Sequence, residues 1–145
     1  MLTKVHTCGL QGVQGFAVEV EAYLSSGMIG FDIVGLPSMA VKESRDRICA
    51  AISVSGLQFP FGKLTVNLSP ADIRKEGTSY ELPIAIALLQ CKYPERFADF
   101  SQTVFIGELA LDGKLLPVNG ALGMAITALE NGYKTLVLPK ANAVQ

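Results

Sequence analysis

At 145 residues, half of them hydrophobic and 17% charged, the chain is long enough for one domain with its own core and too apolar for a disordered segment. Twelve Lys and Arg against thirteen Asp and Glu give a net charge of −1. That balance excludes the broad cationic surface on which non-specific nucleic-acid binding draws and leaves room only for a local basic face.

The cysteines, Cys8, Cys49 and Cys91, are odd in number and lack CxxC spacing, and His6 is the only histidine. Neither a disulfide framework nor a metal site is expected, and reduced thiols in a cytoplasm follow. The start, MLTKVHTCGL, has no signal-peptide pattern, and no apolar run reaches the ~18 residues of a membrane span. A soluble, cytoplasmic protein without a membrane partner is expected.

In chain order, Leu2 to Cys8 reads as a strand, Val13 to Leu24 as a second and Met28 to Val34 as a third. Glycine-bearing turns separate them, so the start predicts an antiparallel β-meander. Ser38 is a good N-cap for a helix of about 17 residues with Val41, Ile48, Ala51 and Ile52 on one face, stopped by Gly56. Lys63 to Leu68 alternates as a central strand. The polar loop Asp72 to Gly77 follows, then a helix from Leu82 to Leu89 so apolar that it must be buried nearly all round. Lys92 to Gln102 is an irregular connector. Val104 to Leu111 and Lys114 to Val118 form a hairpin about Asp112-Gly113. A helix from Ala121 to Glu130 and a strand from Lys134 to Leu138 complete an α+β (α/β two-layer) pattern of helices packed on a sheet.

The polar loop at the mouth of the buried helix is the natural place to look for chemistry, because a helix start offers unpaired N–H groups to an anion or a nucleophile. Nucleotide motifs are absent. Leu57 and Glu108 stand where Gly62-Lys63 and Gly113-Lys114 would need the first glycine of a P-loop, and no G-x-G occurs. With no G-x-S-x-G, Ser79 is the best-placed nucleophile. The structural alternative is a capping box, Thr78-x-x-Glu81, with Pro83 in the first helical turn. Candidate DNA contacts are Arg74 and Lys75 in the loop, then Lys42, Arg45 and Arg47 on the first helix, where Glu43 and Asp46 interrupt the basic stripe.

Lys75-Glu-Gly-Thr-Ser79 resembles the K-D-G-P-S segment that carries the serine of Lon-type proteases, and Gly107 to Gly120 resembles the Lon G-E-x-x-L-x-G-x-V-L-P-I-G-G segment. Tyr133 to Pro139 resembles the strand that follows it. In Lon the dyad lysine comes next, as G-G-L-K. The matching run here is Asn119-Gly120-Ala121-Leu122, so leucine stands at the base and Lys75 is left as the substitute.

A fuller match joins G-L-x-G at Gly9, V-E-V at Val18, F-D-I-V-G-L-P at Phe31, V-x-E-S-x-x-R from Val41 to Arg47, and N-L-S-P-A-D at Asn67. Together they resemble the N-terminal domain of Mg-chelatase-like AAA+ ATPases of the ComM/YifB type, over essentially all 145 residues. The resemblance implies a Lon-like fold shared with the C-terminal domain of RadA; it does not imply that this domain handles magnesium or porphyrin, and no metal or cofactor is expected in it. It also implies an ATPase module downstream that uses ATP and Mg2+, neighbouring subunits in a hexameric ring, and DNA processing such as branch migration in natural transformation. An accessory domain giving subunit packing or DNA contact is the first expectation. A Lon-like serine peptidase using Ser79 and a purely structural oligomerisation module are the alternatives.

Overall fold

The computed structural model describes residues 1–143. A six-stranded sheet in the order β3 (Gly30–Val34), β4 (Lys63–Ser69), β2 (Gln14–Ser25), β1 (Leu2–Gln11), β5 (Thr103–Phe105) and β8 (Thr135–Val137) runs through its centre. Strands β1 (Leu2–Gln11) and β2 (Gln14–Ser25) form a long antiparallel hairpin, in register from Leu2 opposite Tyr23 to Gln11 opposite Gln14. Alternation sorts their side chains. Thr3 and Val5 with Val18, Val20 and Ala22 face one side; Lys4, His6, Cys8 and Glu19 face the other.

Helices α1 (Met39–Val54) and α2 (Glu81–Lys92) cover the first side. As expected, α1 starts at Ser38, whose Oγ accepts from the Val41 N–H at 3.3 Å, and it buries Val41, Ser44, Ile48, Ala51 and Ile52. Helix α2 lies across β1 and β2 and is wedged in by Ile84, Leu88 and Ala87. Burying each of the two larger side chains contributes about 1.5–3 kcal/mol. Thr3 Oγ1 donates to the Ala87 carbonyl at 2.8 Å and locks helix to strand.

The mixed α/β class read from the sequence stands, with one addition. Helix α3 (Ala121–Glu130) packs on the opposite side of the sheet, over a smaller core of Cys8, Val104, Ile106, Val118, Met124 and Ala128. Among the described residues no helix is long and apolar enough to cross a membrane.

The expected meander is not formed. Strand β3 (Gly30–Val34) pairs in parallel with β4 (Lys63–Ser69), and β4 separates it from β2. The reason lies in α1: a helix between two strands carries the chain back to its starting edge, so the strands it joins pair in parallel. The run from Val104 also divides, into β5 (Thr103–Phe105) in the main sheet and β6 (Glu108–Leu109), which pairs with β7 (Leu115–Leu116). Between them Gly107 turns away from the sheet, its N–H donating to the Ser79 carbonyl and its own carbonyl accepting from Leu82. A turn of 3-10 helix, Pro94–Arg96, interrupts the connector, and β8 is Thr135–Val137.

The bend between β3 and α1 sets a hard backbone constraint. Gly35 has φ +101°, and a Cβ there would lie 2.3 Å from the Leu68 carbonyl oxygen, an atom that cannot swing aside. Gly56, at φ +79°, has open space around it. Gly35→Ala should therefore lower unfolding stability by at least ~2 kcal/mol, and Gly56→Ala by only ~1 kcal/mol. Urea titration measures both; equal losses would mean that the close approach to Leu68 is not what demands glycine.

Candidate functional site

Two loops meet beside the start of α2: Gly35 to Ser38, and the stretch from Pro70 to Tyr80. Lys75 staples them together. Its N–H donates to the Leu36 carbonyl at 3.0 Å and its carbonyl accepts from Ser38 N–H at 2.8 Å. Its side chain is fully buried, and Nζ donates to the carbonyls of Gly35, at 2.8 Å, and Pro70. Burial pushes the ammonium pKa below its ordinary value, with the Asp72 charge opposing. Lys75 thus departs from the expectation of a DNA-facing side chain. The Gly35-Leu36 turn, with Leu36 at φ +58°, presents the part-buried Gly35 carbonyl to Lys75, which donates to it.

Ser79 is buried as well, and among the described residues no lysine or histidine is hydrogen-bonded to it. Leu122, at the position of the Lon lysine, is 72% exposed on the first turn of α3. The first N–H groups of α2 are not left open to an anion: Glu81 N–H donates to the Thr78 carbonyl at 3.3 Å and Leu82 N–H to Gly107 at 3.0 Å.

The capping box is not formed either. Thr78 Oγ1 donates to the Glu108 carboxylate, and the cap position of α2 is Tyr80, with no side-chain bond. Glu81 turns inward instead. Its carboxylate is fully buried, with Oε1 accepting from Leu109 N–H at 2.8 Å. Oε2 accepts from Ser44 Oγ at 2.8 Å and from Arg47 through Nε at 2.7 Å and Nη2 at 2.6 Å. One carboxylate therefore ties α1, α2 and β6. The Arg47 pKa is raised by its hydrogen bond to Glu81, with Coulombic help from Glu81, Glu108 and Glu43; burial opposes the rise. As folded, Arg47 gives Nε and Nη2 to Glu81, and its side chain stays 31% exposed. Sequence reasoning missed this centre. Its signal was a serine and an arginine, Ser44 and Arg47, falling on or beside the apolar face of α1.

The other cations are accessible. Arg74 is exposed and pairs with Glu76 at 3.0 Å. Lys42 and Arg45 line a cleft of about 420 Å3 along edge strand β3, together with Lys63, Asp32 and Thr65. Arg45 is held over the strand by Nη1 donating to Phe31 O at 3.0 Å and Nε donating to Lys42 O at 3.2 Å. The sequence reading left out Lys63. It becomes part of the cleft because the register sets it opposite Gly30 of β3, which has no side chain to cover it.

ATP and its Mg2+ do not fit these residues. No glycine-rich phosphate loop is present, and no group of three His, Cys, Asp or Glu among the described residues could hold a metal ion. The cysteines are free, and burial pushes the Cys8 thiol up to about 11.

These features define a domain of the mixed α/β, Lon-like class whose serine has no lysine as hydrogen-bond partner. Comparison with known proteins agrees and goes further. Residues 20–142 match the family model described as subunit ChlI of Mg-chelatase. The YifB protein of Escherichia coli K12 is 44% identical over 94% of this chain and 27% of its own length. Competence protein ComM of Haemophilus influenzae is 39% identical over 98% of this chain and 28% of its own length. Lon protease of Geobacter metallireducens is 29% identical over 90% of this chain and 16% of its own length. The chain belongs to the Mg-chelatase ChlI-like family that includes YifB and ComM. It spans little more than a quarter of the length of these two relatives.

Two measurements test the buried charges. Arg47→Met leaves the Glu81 carboxylate without its counter-ion and should cost about 3–5 kcal/mol. Arg47→Met/Glu81→Gln should recover most of that loss in urea titration, because a neutral amide can still serve Leu109 and Ser44. A double variant as unstable as the single one would show that charge pairing is not the point. For Lys75, the unfolded chain keeps its proton up to about 10.5 while the folded chain releases it at lower pH. Between those limits the unfolded state binds more protons, so stability rises with pH. Wild-type protein should gain on Lys75→Met as the pH is raised from neutral towards 10.5. A flat difference would contradict a buried, depressed lysine.

Proposed function

We propose that this domain is the non-catalytic N-terminal part of a longer AAA+ ATPase that processes DNA, and that it meets the DNA backbone through the cleft along β3. Its own contribution is to hold and position, and ATP with Mg2+ is handled by a module outside these residues. The observation that carries the non-catalytic reading is the commitment of the Lys75 ammonium to the Gly35 and Pro70 carbonyls, which leaves Ser79 without a base. The resemblance to a protein named for competence supports the DNA-processing part.

Lys42, Arg45 and Lys63 set three cations against Asp32 in one cleft, and Arg74 stands exposed on the loop before α2. Such a surface suits a phosphate backbone and carries no base-reading element, so contact independent of sequence is expected. In the full-length protein, Lys42→Ala, Arg45→Ala and Lys63→Ala should each flatten the salt dependence of DNA affinity by roughly 0.7–0.9 per lost phosphate contact. Lys75→Met should leave the slope unchanged. A slope unaltered by the three cleft variants would remove DNA contact from the β3 cleft. Acylation of Ser79 by a serine-directed probe, lost in Ser79→Ala, would overturn the non-catalytic reading.

A further inference from the structure

Helix α3 is apolar on every side. Ala121, Met124, Thr127 and Ala128 face the smaller core. Leu122, Ile126 and Leu129, at i, i+4 and i+7, project the other way and stand 72%, 47% and 75% exposed. Glu130, its last residue, is the only charged one. A helix of this composition belongs inside a larger body. The β1–β2 turn extends the patch with Val13, 98% exposed, whose carbonyl lies 4.0 Å from where a Cβ on Gly123 would stand. On the other flank a groove of about 170 Å3 runs between α3 and β8, lined by Ala125, Leu129, Tyr133 and Leu136 together with Lys134 and Thr135. Strand β8 ends the sheet there, with no further strand beside it among the described residues. Scattered exposed apolar residues are ordinary, but three large ones on one face of a single helix, beside an apolar turn residue, mark a contact surface.

The path of the chain indicates what covers it. Beyond β8, Asn142 is buried and clamped to Val118: its Oδ1 accepts from Val118 N–H at 2.9 Å and its Nδ2 donates to the Val118 carbonyl at 3.0 Å. Val118 lies three residues before α3, so the last described residues run beside the segment that leads into that helix. The YifB and ComM relatives are far longer, with this chain spanning only 27–28% of them. We infer that the Leu122–Ile126–Leu129 face of α3 is the surface on which the rest of the same polypeptide, following Asn142, packs. That contact would couple movement of the following module to this domain. The inference rests on the reading of the chain as the N-terminal part of a longer ATPase.

The test uses the full-length protein carrying Leu122→Lys/Leu129→Lys, with Leu122→Ala/Leu129→Ala as a milder pair acting in the same direction. Both side chains project outward, so the domain's own core is untouched. Limited proteolysis should cut just after Asn142 roughly tenfold faster or more in the lysine pair, since cleavage follows the population of the opened linker. The product should be a resistant fragment close to 15.4 kDa, and the sedimentation mass of the uncut assembly should stay unchanged. Cleavage no faster than in the wild type would overturn the inference. So would a fall in assembly mass with the linker still protected, which would assign the face to a second copy. A wild-type protein that does not hydrolyse ATP would sink the ATPase reading separately, while the cleavage comparison would still decide the docking.

Discussion

A carboxylate without access to water holds the two main helices and the β6–β7 ribbon in place. Removing an ionised group from water is expensive, and attraction to one counter-ion often fails to offset it. Glu81 survives burial because the charge of Arg47, the hydroxyl of Ser44 and the N–H of Leu109 all converge on it. Short charge-assisted bonds to arginine are among the strongest available to a side chain. The arrangement is correspondingly selective: the donors come from α1 and β6 and the acceptor from α2, so a shift of any one element breaks several bonds together. The position of α1 in turn fixes the cleft, whose Lys42 and Arg45 come from the same helix as Ser44 and Arg47.

Lys75 is the second buried charge and is handled differently. It has main-chain carbonyls as partners in place of a carboxylate, and they belong to the Gly35-Leu36 bend and to Pro70. The loop that precedes the apolar helix, suggestive of catalysis when read along the chain, is thereby a structural staple. The basic cleft runs along β3 on one edge of the sheet, and the exposed apolar face of α3 lies near the other.

Local signals in the sequence were reliable where the decisive interactions were local. Ser38 and Gly56 bounded α1 because a cap and a left-handed stop act within a few residues, and Asn119-Gly120 with Asn131-Gly132 bounded α3 in the same way. Strand pairing was less legible. Three apolar runs joined by turns read as a meander, yet β4 pairs with β2 across nearly forty intervening residues, and nothing in β3 announces that its partner lies beyond a helix. The candidate site failed for a related reason. Thr78-x-x-Glu81 fits a capping box by spacing alone, but the converging donors of Ser44, Arg47 and Leu109 outweigh a single N–H at the helix start. A list of surface cations likewise cannot separate Arg45, free to line a cleft, from Arg47 two residues on, locked to a carboxylate.

The Leu109 amide tests the central role of Glu81 most directly. Strand β6 belongs to a two-stranded ribbon of two residues a side, which by itself would fray and exchange its amide hydrogens quickly. If the Glu81 centre binds the ribbon to α1 and α2, native-state hydrogen exchange should find Leu109 N–H protected to the level of the Val5 and Val20 amides, opening only with global unfolding. Exchange of Leu109 as fast as that of the exposed turn residue Lys114 would show that the carboxylate does not hold the elements together.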